Sequence, residues 1–100
     1  MNQLAVKELA QWLAEPDRPQ PLLLDVREAW EREESVIPGS QHIPLGELPG
    51  KLEDLEDLKD QEIIVHCKSG SRSASAKAFL TQQGFTNVRN LVGGFMAYQG

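Results

Sequence analysis

Two short stretches, Leu22-Leu23-Leu24 and Ile63-Ile64-Val65, are apolar at every position. A strand with one wet face alternates apolar and polar residues. An unbroken apolar run suits a strand buried on both faces, as in a parallel sheet covered by helices. Parallel strands are joined by long crossovers, usually helical, and the chain supplies them. Leu4, Val6, Leu9, Trp12 and Leu13 recur at helical intervals before Pro16. Glu28 to Glu34 reads as a short charged helix with Trp30 on its inner side. Leu45, Leu48, Leu52, Leu55 and Leu58 are spaced for helix, broken at Pro49-Gly50 into a turn and a second helix. Ala74 to Gln83 forms another, ended by Gly84. Gln41 to Ile43 and Val88 to Val92 add strands, Gly93-Gly94 a turn, and Phe95 to Tyr98 a last short helix. Strands alternating with helices predict an α/β domain with a mostly parallel sheet, and the 100 residues form one domain, 1–100.

The strand Glu62–His66 runs into Cys67-Lys68-Ser69-Gly70-Ser71-Arg72-Ser73, and a helix follows at once. The first N–H groups of a helix have no intrahelical acceptor, and the helix dipole adds positive charge there. A loop that turns further N–H groups inward makes an anion cradle. Lys68 and Arg72 add two formal charges. A thiol at such a mouth ionises readily, with a pKa of roughly 3.5–7.5 in comparable settings. A lone cysteine is more often an inert core residue. A core cysteine, however, does not need Gly70, two cations and flanking serines directly after it.

Asp25 and Arg27 end the other buried strand. Ligands of open α/β sheets bind beyond the carboxyl ends of strands, so this pair belongs at the same edge as Cys67. It serves as an ion pair fixing the turn, as support for the Cys67 loop, or as both. His66 points to the opposite side of its strand from Cys67 and reads as a satisfied structural histidine. His42 reads as a packing or surface residue rather than a general base, and Glu31 as a residue of the solvated face or of the site's rim.

A single cysteine excludes an internal disulfide, so any resolving nucleophile comes from outside. No zinc-ligand spacing is present. A net charge of −5 argues against nucleic acid and anionic membrane as partners. With no spanning apolar run and no signal-peptide pattern, a cytoplasmic location is expected.

Four segments together resemble the rhodanese family of sulfurtransferases in its single-domain form. Asp25-Val26-Arg27-Glu28 resembles the family's D-V-R-E. Ile37-Pro38-Gly39-Ser40 with Ile43-Pro44-Leu45 resembles I-P-G-A…I-P-L. Cys67 to Ser73 resembles the active-site loop C-x-x-G-x-R-S, and Gly84-Phe85, Asn87-Val88, Leu91 and Gly93-Gly94 resemble the closing pattern. The family's usual Gly-His before I-P-G is Ser35-Val36 here, and its closing Trp is Tyr98.

The resemblance implies a three-layer rhodanese-like domain with its central sheet flanked by helices. It implies that Cys67 attacks thiosulfate or a persulfide donor and keeps the sulfur as a persulfide. The sulfur then passes to a thiol, cyanide or a protein acceptor. Lys68, Ser69, Gly70, Ser71, Arg72 and Ser73 would hold the small anionic donor, with Asp25 and Arg27 behind them. No metal and no cofactor is implied. Phosphatases and arsenate reductases on the same fold place five residues between Cys and Arg; here there are four, a tighter cradle better matched to one sulfur. A rhodanese-like sulfur carrier or regulatory binding module is the other alternative.

Overall fold

A computed structural model describes residues 3–99. Five strands form one sheet in the order β1-β5-β4-β2-β3, and every pairing is parallel. They are β1 (Gln3–Leu4), β2 (Leu22–Asp25), β3 (Gln41–His42), β4 (Ile63–His66) and β5 (Val88–Leu91). The helices are α1 (Val6–Leu13), α2 (Ala29–Glu34), α3 (Ser71–Gln82) and α4 (Gly94–Gln99), and Leu45–Leu58 is a 3₁₀ helix. The two apolar runs are the central strands, buried at every residue.

Alternation along the strands feeds two cores. Leu22, Leu24, Val26, Ile63, Val65 and Val88 pack with Leu48, Leu55, Ala76 and Leu80, on the face covered by α3 and the 3₁₀ helix. Leu23, Ile64 and Leu91 pack with Leu9, Trp12 and Phe95 of α1 and α4 on the other. Each fully buried Leu or Ile contributes roughly 1.5–3 kcal/mol, so both layers are anchored through the same strands.

The structure departs from the sequence reading in several places, and α3 begins at Ser71 rather than Ala74. Leu4 is not in the first helix; it pairs with Leu91 in β1, and α1 begins at Val6. A two-residue edge strand carries no periodicity to detect. The leucines of 45–58 lie on one continuous 3₁₀ helix that runs through Pro49. Three-residue spacings such as Leu45–Leu48 and Leu52–Leu55–Leu58 stack along one edge of a 3₁₀ helix. Trp30 is 62% exposed, whereas Glu31 is buried and ion-paired with Arg72. The last strand ends at Leu91 and the last helix starts at Gly94, one residue early.

Asp25 pairs with His42 on one side and His66 on the other. The carboxyl ends of β2, β3 and β4 are thus level, and the Cys67 loop leaves from that edge.

Candidate active site

The loop between β4 and α3 is held by its carbonyls. The Cys67 carbonyl accepts the Phe95 N–H at 2.8 Å and the Lys68 carbonyl accepts the Met96 N–H at 3.0 Å. The Gly70 carbonyl accepts the Ala74 N–H at 3.0 Å and the Asn90 Nδ2 amide at 3.1 Å. With these carbonyls occupied, N–H groups are left to face the sulfur, and Gly70 donates to Cys67 Sγ at 3.0 Å. Gly70 reaches this geometry at φ +113°, a region that other residues rarely enter.

Gly94 explains why α4 can supply two of those donors. A Cβ there would lie 2.5 Å from the Cys67 carbonyl oxygen and 2.8 Å from the Lys68 carbonyl, and its φ is +57°. Gly94→Ala is therefore expected to push α4 off the loop and cost about 2 kcal/mol or more. The Cys67 thiol pKa should rise with it. Urea unfolding and a thiolate absorbance titration check the two effects; a variant unchanged in both would contradict this packing.

Cys67 is fully buried, against the core on the α3 side. Burial by itself pushes its thiol up. The Ser73 hydroxyl and the N–H groups of Ser73, Gly70 and Ser69 outweigh that and hold it below the ordinary value. The sulfur is enclosed, yet it faces donors rather than hydrocarbon alone. Ser73 Oγ lies 3.5 Å from Sγ, 2.5 Å from Asn90 Oδ1 and 3.1 Å from the Gly70 carbonyl. Its one hydroxyl proton is shared among these three acceptors, of which Asn90 is the shortest contact. Asn90 thus braces both Ser73 and Gly70. Sequence reasoning missed it, although an amide in the otherwise apolar Asn90-Leu91 end of a buried strand was a signal.

Lys68, Ser69 and Ser71 are exposed, whereas Ser73 is buried. Arg72 is not left open to an anion. Its guanidinium bonds both oxygens of Glu31, at 2.6 and 2.9 Å. That bond holds the Glu31 carboxyl down at about 2 and raises Arg72 above its usual range. The pair ties α3 to α2.

Asp25 is fully buried. It accepts the Arg27 backbone N–H at 2.9 Å, Arg27 Nη2 at 2.9 Å and Arg32 Nη1 at 3.3 Å. Burial pushes its carboxyl up, and the Arg27 bonds more than reverse this. Arg27 also donates to the Ser35 carbonyl at 2.7 Å and lies 4.4 Å over the Phe95 ring. Phe95 holds the Cys67 carbonyl, so the ion pair both fixes the turn after β2 and backs the loop. His42 Nε2 lies 2.7 Å from the Arg27 carbonyl, a packing role.

His66 corrects an expectation. It faces away from Cys67, but neither ring nitrogen has a partner. Burial pushes its pKa down to about 4. The unfolded chain takes up a proton as pH falls through 6.5, while the folded ring stays neutral down to about 4. Stability therefore drops across that window, by about 3 kcal/mol at most. His66→Leu, which strands no partner, should keep its neutral-pH stability within about 1 kcal/mol. It should also flatten the acid limb in urea unfolding between pH 7 and 4. An undiminished limb would place the titration elsewhere.

Beside the loop lies a pocket of about 310 Å³, lined in part by Trp30, Glu31, Glu34, Lys68, Phe95 and Met96. Cys67 itself does not line it. Among the described residues no group of three or more His, Cys, Asp or Glu side chains is placed to hold a metal ion, and no helix is long and apolar enough to cross a membrane.

The sequence profile of the rhodanese-like domain matches residues 5–100. A sulfurtransferase of Allochromatium vinosum is 35% identical over 98 residues, which is 98% of this chain and 88% of that protein. The Bacillus subtilis protein YtwF, provisionally named a sulfurtransferase, is 45% identical over 78 residues, 78% of this chain and 73% of that protein. Among solved structures, a rhodanese-like domain protein from Staphylococcus aureus superposes with a TM-score of 0.88 at 28% identity, covering 98% of this chain and 91% of that one.

Proposed function

The chain belongs to the rhodanese-like family, and on that premise we propose that it is a single-domain sulfurtransferase, acting in the cytoplasm, with Cys67 as its nucleophile. The Cys67 thiolate attacks the outer sulfur of thiosulfate or of a persulfide. The S–S bond of the donor breaks, and its electron pair leaves on sulfite or on a thiolate. Cys67 is left as a persulfide, and a thiol, cyanide or protein acceptor takes the outer sulfur in a second displacement. This is covalent catalysis in two half-reactions. The loop N–H groups hold the persulfide anion as an oxyanion hole holds an alkoxide.

The observation that carries this reading is the Gly70 N–H aimed at Cys67 Sγ from 3.0 Å, in a loop whose Cys67, Lys68 and Gly70 carbonyls are bound by other groups. Asp25 and Arg27 support that loop through Phe95. The spacing of four residues between Cys67 and Arg72 weighs against phosphoryl transfer. Thiosulfate and an aryl phosphate offered side by side test the reading. Sulfite release that disappears in Cys67→Ser supports it; Cys67-dependent phosphate release without sulfite would overturn it. The enclosed sulfur favours one variant, a carrier that turns over slowly until an acceptor protein lifts the loop. Fast loading in a single turnover with slow release to small thiols would identify that variant.

A further inference from the structure

The charges around the pocket narrow the donor, on the premise that Cys67 carries sulfur as proposed above. A pocket of about 310 Å³ has room for roughly ten water-sized volumes of ~30 Å³ each. Thiosulfate, a compact dianion, would leave most of it unfilled. Its charge also finds little to meet. Arg27 is bound to Asp25, and Arg72, which lies behind Glu31 toward Cys67 rather than in the lining, is bound through two contacts to Glu31. Lys68 and Glu34 line the same pocket and take part in no ion pair among the described residues. The open charges are therefore one cation and one anion. Trp30 and Met96, 62% and 57% exposed, add apolar surface at the rim.

We infer that the donor is a small zwitterionic persulfide, R–S–SH, whose body carries an ammonium for Glu34 and a carboxylate for Lys68, with its carbon skeleton against Trp30 and Met96. Cys67 does not line the pocket, so the body sits there while the –S–SH end extends past Lys68 to the sulfur as the loop opens. The Cys67 thiolate then attacks the outer sulfur. The donor S–S bond breaks, its electron pair leaves as R–S⁻, and the proton of the transferred –SH passes through solvent to that thiolate. Nothing is oxidised or reduced overall. Glu31 is then a specificity residue that acts through Arg72: by occupying the guanidinium, it withholds from thiosulfate the fork that would bind its oxygens.

Steady-state kinetics with three donors test this: cysteine persulfide, 3-mercaptopropionate persulfide (the same body without the ammonium) and thiosulfate. The full chain should favour cysteine persulfide over the mercaptopropionate analogue by about tenfold in kcat/KM, the scale of one charge-assisted hydrogen bond. Glu34→Gln should erase that preference by raising KM for cysteine persulfide alone. Glu31→Gln, which frees Arg72, should lower KM for thiosulfate by about tenfold with little change in kcat; a thermal melt confirms that the variant is folded. Equal use of the two persulfides by the full chain overturns the inference. So does an unchanged thiosulfate KM in folded Glu31→Gln. If Glu31→Gln does not fold, Glu34→Gln, at an exposed side chain without an ion pair, decides the matter. Failure of every donor to load Cys67 would instead sink sulfur transfer itself.

Discussion

Cys67→Ser is expected to abolish sulfur transfer, by at least about 10³-fold, and to leave the fold standing. Only the sulfur can carry a second sulfur through a covalent intermediate, and a serine hydroxyl is un-ionised at neutral pH. The serine oxygen still accepts the Gly70 N–H that now reaches Sγ at 3.0 Å, so no buried donor is orphaned. The stability cost should stay near 1 kcal/mol. Sulfite release and urea unfolding, run on one preparation, read both effects. Residual transfer within tenfold of the parent protein would show that the sulfur passes elsewhere.

Asp25→Ala has the largest expected effect on stability. It leaves the Arg27 guanidinium, only 4% exposed, without its countercharge and weakens the hold on Arg32. Breaking a buried pair from one side costs about 3–5 kcal/mol, against a total of roughly 5–15 kcal/mol for a domain of ordinary size. Activity should fall too, because Arg27 lies over Phe95 and Phe95 holds the Cys67 carbonyl. That loss should track the fraction folded. Equilibrium urea unfolding beside sulfite release checks this. A fully stable but inactive Asp25→Ala would move Asp25 from the scaffold into the chemistry. The dependence on pH has a definite sign. The folded carboxyl of Asp25 is held below its ordinary 3.8, so its stabilisation is complete above that pH and is lost as pH falls below it.

The central strands were legible in the sequence because burial on both faces leaves no polar position in Leu22-Leu23-Leu24 or Ile63-Ile64-Val65. The loop was legible because its residues are contiguous: strand, cysteine, glycine and helix start follow one another. What escaped was set by partners distant in sequence. Glu31 and Arg72 are 41 residues apart, and nothing local says that one occupies the other. The helix that carries Glu31 inward to this pair leaves Trp30 facing water. Gly93-Gly94 read as a turn, whereas Gly94 lets a helix touch the backbone of Cys67 and Lys68. His66 read as satisfied because a buried polar ring usually finds a partner, and here neither nitrogen does. Periodicity reports which residues leave water, not which polar groups they meet once inside.

Intact mass of the protein after exposure to a sulfane-sulfur donor tests the core of this account most directly. The parent chain should gain one sulfur atom, discharged by an added thiol, and Cys67→Ser should gain none. No gain from thiosulfate or from any persulfide, or a gain that persists when Cys67 is replaced, would contradict it.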